Sequence, residues 1–142
     1  MKDQDGQGVL FLCVANSSRS QMAEGFARTM APKGIEIASA GSAPTRLNPL
    51  AVKVMAEVAI DISGQKAKSL HSIELDRIGH VITLCLEQVC PTFPRAVRQD
   101  HWSIEDPAAV AGSEEEKLRA FRRVRDQIRK RLEAHFRNNR AG

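Results

Sequence analysis

The chain has 142 residues, a length that suits one domain around one core, with 42% hydrophobic and 27% charged residues as in ordinary globular proteins. No apolar run approaches the roughly 20 residues of a membrane helix, and the polar start "MKDQDGQG" does not read as a secretory leader, so a cytoplasmic protein without membrane contact is expected. The net charge of +4 gathers at the C-terminal end, where residues from Ser113 carry ten Lys/Arg against five Asp/Glu, but interleaved acids and the lone aromatic Phe121 between Lys117 and Arg131 mark a solvated helix face and argue against nucleic-acid binding.

Val9–Leu12 is a short apolar run of the kind buried in a parallel sheet. A small-residue loop follows, and then Met22, Ala23, Phe26, Ala27 and Met30 recur with helical spacing until Pro32 and Gly34 stop the helix. "IEIASAG" (Ile35–Gly41) alternates as a second strand. Asn48-Pro49 opens a second helix as N-cap and first-turn proline, with Val52, Met55, Ala56 and Ala59 expected to face inward. "HVITLC" (His80–Cys85) is a third strand and "HWSI" (His101–Ile104) a brief fourth. From about Ser113 a long amphipathic helix aligns Leu118, Phe121, Val124, Ile128, Leu132 and Phe136, and Ser113 with Glu116 forms a capping box at its start.

Strands alternating with helices imply an α/β fold: one domain over residues 1–142, a four-stranded parallel sheet and helices on both faces. Ligands bind such sheets beyond the carboxyl ends of the strands. Cys13, Cys85 and Asp106 all fall there.

The loop after the first strand carries the sharpest signal. Cys13 is followed by Val14, Ala15, Asn16, Ser17 and Ser18, then by Arg19 and Ser20 at the start of a helix. Successive amides of such a turn, together with a helix N-terminus, cradle an anion. Arg19 offers a planar fork to two oxygens of a tetrahedral oxyanion. The same positive surroundings favour the thiolate of Cys13, Asn16 suits a left-handed position in the turn, and Ser20 is able to donate its hydroxyl to the sulfur.

Three cysteines, at 13, 85 and 90, do not make a structural disulfide framework. Cys85 and Cys90 lack the pairwise spacing of a zinc site, and His71, His80, His101 and His135 supply no metal-binding repeat, so no metal is expected. Thiol chemistry remains.

The stretches "CVANSSRSQMAEGFAR", "SAGSAP", "VITLC", "CPTFP" and "HWSIEDPA" together resemble the thioredoxin-coupled arsenate reductases, which share the low-molecular-weight tyrosine phosphatase fold. The resemblance runs from Val9 to the last helix. It implies that Cys13 is the nucleophile, Arg19 the oxyanion clamp and Asp106 the general acid. Many members carry Thr-Gly in place of Val14-Ala15 and a further cysteine in place of Ser18. Some bind potassium through residues matching Asn16, Glu24 and Ser39 and a later aspartate. Here Gln65-Lys66-Ala67-Lys68-Ser69 surrounds that last position, so the expectation is no cofactor and no potassium site, a lysine being able to supply the charge.

Loop chemistry alone does not separate phosphate from arsenate, which share shape and charge. A phosphatase needs one thiol and a water, whereas a reductase needs two electrons and hence a dithiol. The resemblance supplies the order: Cys13 attacks arsenate, Cys85 attacks Cys13 with release of arsenite, and Cys90 closes a Cys85–Cys90 disulfide for external thioredoxin to reduce. Five residues span about 8–9 Å along a helix or about 16 Å along a strand, against the roughly 4.4–6.8 Å between α-carbons in a disulfide. The segment "CLEQVCPTFP" must therefore leave regular structure to form that bond. The function expected is arsenate reduction and detoxification by a monomer. The alternatives are a low-molecular-weight tyrosine phosphatase, which usually carries tyrosines after Asp-Pro where this chain has none, and a non-catalytic thiol sensor or arsenite binder.

Overall fold

The computed structural model describes residues 7–86 and 90–141, so the ends of the expected 1–142 domain and the centre of "CLEQVCPTFP" (87–89) lie outside the described residues. Four strands, β1 (Gly8–Cys13), β2 (Ile37–Gly41), β3 (Ile78–Leu84) and β4 (Arg98–Trp102), alternate with α1 (Arg19–Met30) and α2 (Pro49–Ala56) and precede α3 (Glu114–Ala141). All pairings are parallel, in the order β2-β1-β3-β4. The chain therefore passes from β1 to β2 on one side and later returns to set β3 on the other. A sheet with that reversal opens a crevice at the carboxyl end of its central strand. Cys13 is the last residue of that strand.

Alternation along β1 divides the core. Val9 and Phe11 face a layer built by Met22 and Phe26 of α1, Val54 and Met55 of α2, and the α3 stripe Leu118, Phe121, Val124, Ile128, Leu132 and Phe136. Leu10 and Leu12 face the other way, with Ala40, Val81 and Phe93 beneath Leu70 and Leu75, which belong to short 3₁₀ helices at Leu70–Ser72 and Leu75–Arg77. Burying one such aliphatic or aromatic side chain contributes about 1.5–3 kcal/mol. Both faces of β1 are therefore committed, and its end is a firm base for the loop that follows.

The boundaries differ from expectation in instructive places. β4 begins at Arg98, three residues early, and reads exposed-exposed-half-buried-exposed-buried. It is an edge strand, where polar side chains are compatible with pairing. Of the residues expected to face inward from α2, Met55 is buried and Val52 packs half-buried against the core, but Ala56 is exposed and exposed Ala59 lies past the helix end with φ of 64°; Ala51 and Val54 are buried in their place. Pro49 fixes the first turn, and from there the i, i+3, i+4 pattern selects 51, 54 and 55. The capping box forms as expected: Ser113 N–H donates to Glu116 Oε1 (3.0 Å) and Glu116 N–H to Ser113 Oγ (3.2 Å).

Glu57, just beyond α2, ties it to α3. Arg122 grips both carboxylate oxygens (2.9 Å from Nε and 2.8 Å from Nη2), and Arg125 Nη1 reaches Oε1 at 2.8 Å and the Val54 carbonyl at 2.9 Å. The Arg122 hydrogen bonds, aided by Arg125, hold the Glu57 carboxyl at about 2 against an ordinary 4.5. A folded-state value below the unfolded one gives stability that is complete above the unfolded value and lost as pH falls through the folded value. Thermal midpoints of wild type and Glu57→Gln should thus differ above pH 4.5, wild type being higher, and converge as pH approaches 2. A constant gap across that range would show that the carboxylate charge is not what binds α2 to α3.

Candidate active site

The loop from Cys13 to Ser18 has every carbonyl engaged on its outer side. Cys13 O accepts from Ser42 N–H (3.3 Å), Val14 O from Ala43 (2.9 Å), Ala15 O from Thr45 (3.1 Å) and Ser17 O from Asn48 (2.9 Å). Asn16 O accepts from Gln21 Nε2 (2.9 Å), and Ser18 O takes the first helical bond, from Met22 (2.9 Å). A trans peptide points its N–H opposite its carbonyl. Carbonyls held outward by the 42–48 segment leave the loop amides directed inward, toward the end of α1, whose N-cap Ser18 makes no side-chain cap. Such a concavity binds anions.

Two backbone requirements shape it. Asn16 sits at φ 50°, the left-handed position anticipated for it. Gly41, at the end of β2, lies so close behind that a Cβ there would stand 2.5 Å from Val14 O and 2.9 Å from Asn16 N. Only glycine fits.

Cys13 is buried and is a free thiol. Its sulfur receives the Asn16 N–H at 3.2 Å and lies 2.9 Å from Ser20 Oγ. A directed chain of hydrogen bonds runs behind it. Glu24 is a buried carboxylate that accepts from Ser39 Oγ (2.5 Å); Ser39 Oγ in turn accepts from Asn16 Nδ2 (3.0 Å). The other hydrogen of the same amide goes to Ser20 Oγ (2.7 Å), which leaves the Ser20 proton for the sulfur. Asn16 Oδ1 accepts from the Lys68 N–H (2.7 Å) and Gln21 Nε2 (3.0 Å). Because a carboxylate only accepts, the direction of each link follows from Glu24.

Arg19, at the start of α1, is only 3% exposed. Its Nη1 donates to Ile104 O (3.0 Å), and its Nη2 stands 3.9 Å from Asp106 Oδ2. Asp106 Oδ1 accepts from Ala108 N–H (3.0 Å) and caps the 3₁₀ helix Pro107–Ala109. The chain leaving β4 thus delivers Ile104 and Asp106 beside the loop together. Cys85 follows β3, and its N–H donates to Trp102 O (3.2 Å). It is joined to Cys90 by a disulfide with α-carbons 5.9 Å apart, and neither cysteine lies in a helix or strand. This is the geometry the spacing demanded.

The structure brings Asp106 to Arg19 of the loop 13–20, and it sets Cys85 at the end of β3, the strand beside β1, with Cys90 bonded to it. Sequence reasoning missed Gln21, whose Nε2 also reaches Lys66 O (2.9 Å) and whose Oε1 accepts from Gln65 (2.7 Å). It also missed the role of 42–48 as an outer brace. A polar side chain on the helix's first turn carries no distinguishing pattern; the "SAG" closing the second strand was the available clue to Gly41.

A profile of low molecular weight phosphotyrosine protein phosphatases matches residues 8–140, and the chain belongs to that family. Within it, the chain is 46% identical over 126 residues to an arsenate reductase of Bacillus subtilis (strain 168), covering 87% of this chain and 91% of the relative. A solved arsenate reductase in the phosphate binding state superimposes with a TM-score of 0.79 at 36% identity, covering 93% and 98% of the two chains. The thioredoxin-dependent arsenate reductase of Corynebacterium glutamicum gives 0.66 at 28% identity over 93% of this chain and 62% of its own.

Arg19→Lys keeps a charge but loses the fork. Calorimetric affinity for inorganic phosphate should fall about tenfold to a hundredfold, the loss of one or two charge-assisted hydrogen bonds. Gly41→Ala should weaken the same binding with every side chain of the loop unchanged. Wild-type affinity in both variants would mean that the anion is held elsewhere.

Proposed function

We propose that the chain reduces arsenate to arsenite through a relay of Cys13, Cys85 and Cys90. The observation that carries this reading is a disulfide between Cys85 and Cys90 beside an anion cradle whose own cysteine remains a thiol. β1 and β3 are neighbours, with Leu12 paired to Thr83, and adjacent strands lie about 4.8 Å apart. Cys13 ends β1 and Cys85 follows the last residue of β3, so the two cysteines come from the carboxyl ends of neighbouring strands.

In this reading the amides of 14–18 and the Arg19 guanidinium hold the arsenate oxygens. The Cys13 thiolate attacks arsenic, and one oxygen leaves as water with a proton from Asp106. Cys85 thiolate then attacks the Cys13 sulfur. The S–As bond breaks, its electron pair stays on arsenic, and arsenite departs from a Cys13–Cys85 disulfide. Cys90 thiolate attacks Cys85, expels Cys13 as thiolate, and stores the oxidation as Cys85–Cys90. A dithiol protein of the thioredoxin type accepts it. Every group comes from one chain, so a monomer suffices, and the need for such a reductant supports a cytoplasmic reaction. Phosphomonoester hydrolysis would use Cys13, Arg19 and Asp106 but leaves the disulfide without a task.

Arsenite formation with thioredoxin, its reductase and NADPH tests the relay. Cys85→Ser and Cys90→Ser should each abolish multiple turnover, while slow hydrolysis of an aryl phosphate survives. Full turnover in either variant would overturn it.

A further inference from the structure

The resemblance to potassium-binding relatives sets a requirement behind the loop that the residues here do not meet. Glu24 Oε2 is held by Arg28 Nη2 at 2.6 Å. Its other oxygen, the one that accepts from Ser39, faces the Lys68 ammonium at 3.6 Å, and that ammonium donates to Lys66 O at 2.9 Å. Asn16 Oδ1 is already committed to the Lys68 N–H and to Gln21. A dissolved cation on Glu24 Oε1 would meet a positive charge, and Asn16 has no oxygen to offer it.

We propose that Lys68 is the built-in cation of this loop, a positioning residue that occupies the cation position at Glu24 Oε1, the oxygen Arg28 leaves open, and so makes oxyanion binding at Cys13 independent of dissolved monovalent cations. Its main chain is anchored at both ends of the peptide: the N–H to Asn16 Oδ1 (2.7 Å), and the carbonyl accepting from Gly41 N–H (2.8 Å). The backbone that carries the ammonium is thus tied to the same two residues whose geometry the loop depends on. Lys68 acts through Glu24, Ser39 and Asn16 and does not touch the anion. Glu24, Arg28, Asp61, Gln65, Lys66 and Lys68 line a cleft of about 510 Å³. Removal of the lysine side chain would let a solvent cation reach Glu24 through it.

This rests on the loop being an oxyanion site but not on arsenate chemistry, so inorganic phosphate is the probe. Its affinity is measured by calorimetry in potassium chloride and in choline chloride at equal ionic strength. Wild type should bind equally in both. Lys68→Met should bind roughly tenfold more weakly in choline, because Glu24 Oε1 loses the cation that faces it while Arg28 still holds only Oε2, and should recover in potassium. Lys68→Asp, which adds an oxygen ligand and a second negative charge, should depend on potassium more steeply. A wild-type affinity that rises with potassium would overturn the proposal even if neither variant folds. So would unchanged affinity of Lys68→Met in choline, or a loss that potassium does not restore, since that would reduce Lys68 to a distant electrostatic attraction. Failure of arsenate reduction alone would leave all three binding results intact.

Discussion

Everything at the site depends on where six carbonyl groups point. From Cys13 to Ser18 each is taken by a donor outside the cradle, four of them by the single segment 42–48. Buried backbone groups must be paired, and satisfying the oxygens on the outside decides the orientation of the amides on the inside. The left-handed turn at Asn16 and the absence of a side chain at Gly41 are the local conditions that let the two segments approach closely enough. An anion receptor made this way is positive without needing many basic residues.

A second, polar layer supports the first. Glu24, acceptor only, imposes a direction on Ser39, on the Asn16 amide and on Ser20, ending at the Cys13 sulfur. The thiol that would do chemistry is therefore oriented from a carboxylate on the second turn of α1, three hydrogen-bonding groups away. On the opposite flank, the exit from β4 holds Arg19 through Ile104 O and presents Asp106. Cys13 is thus braced from behind the loop, Arg19 and Asp106 together by the exit from β4, and Cys85 follows the strand beside β1.

Much of this was legible in the sequence because the informative features are local. The capping box of Ser113 and Glu116, the Asn48-Pro49 helix start and the strand-loop-helix around Cys13 all operate within a few residues, and each forms as read. The α3 stripe is equally clear, since six apolar residues at helical spacing have one way to be buried. What was not legible lies across the chain. The inward face of α2 depends on a first turn set by Pro49 and on α3 packing over it, which a short helix of mixed small residues does not announce. The polar run Arg98–Asp100 hides the start of β4, since polarity is no obstacle at a sheet edge. Gln21, Gln65 and the brace at 42–48 act through contacts to backbone atoms, and backbone atoms leave no mark on residue identity.

That last property has an evolutionary consequence. In a receptor assembled from main-chain amides, the half-buried side chains at 14, 15 and 17 are less constrained than the amides, and replacements such as Val14-Ala15 for Thr-Gly leave the anion-binding groups in place. Constraint falls as well on positions whose side chains face away from the ligand: 16, whose turn needs an unusual backbone angle, and 41, where one methyl group would intrude on the peptide in front of it. Cys13 and Arg19 apart, a map of tolerated substitutions around the loop would thus follow backbone geometry and not distance from the bound ion.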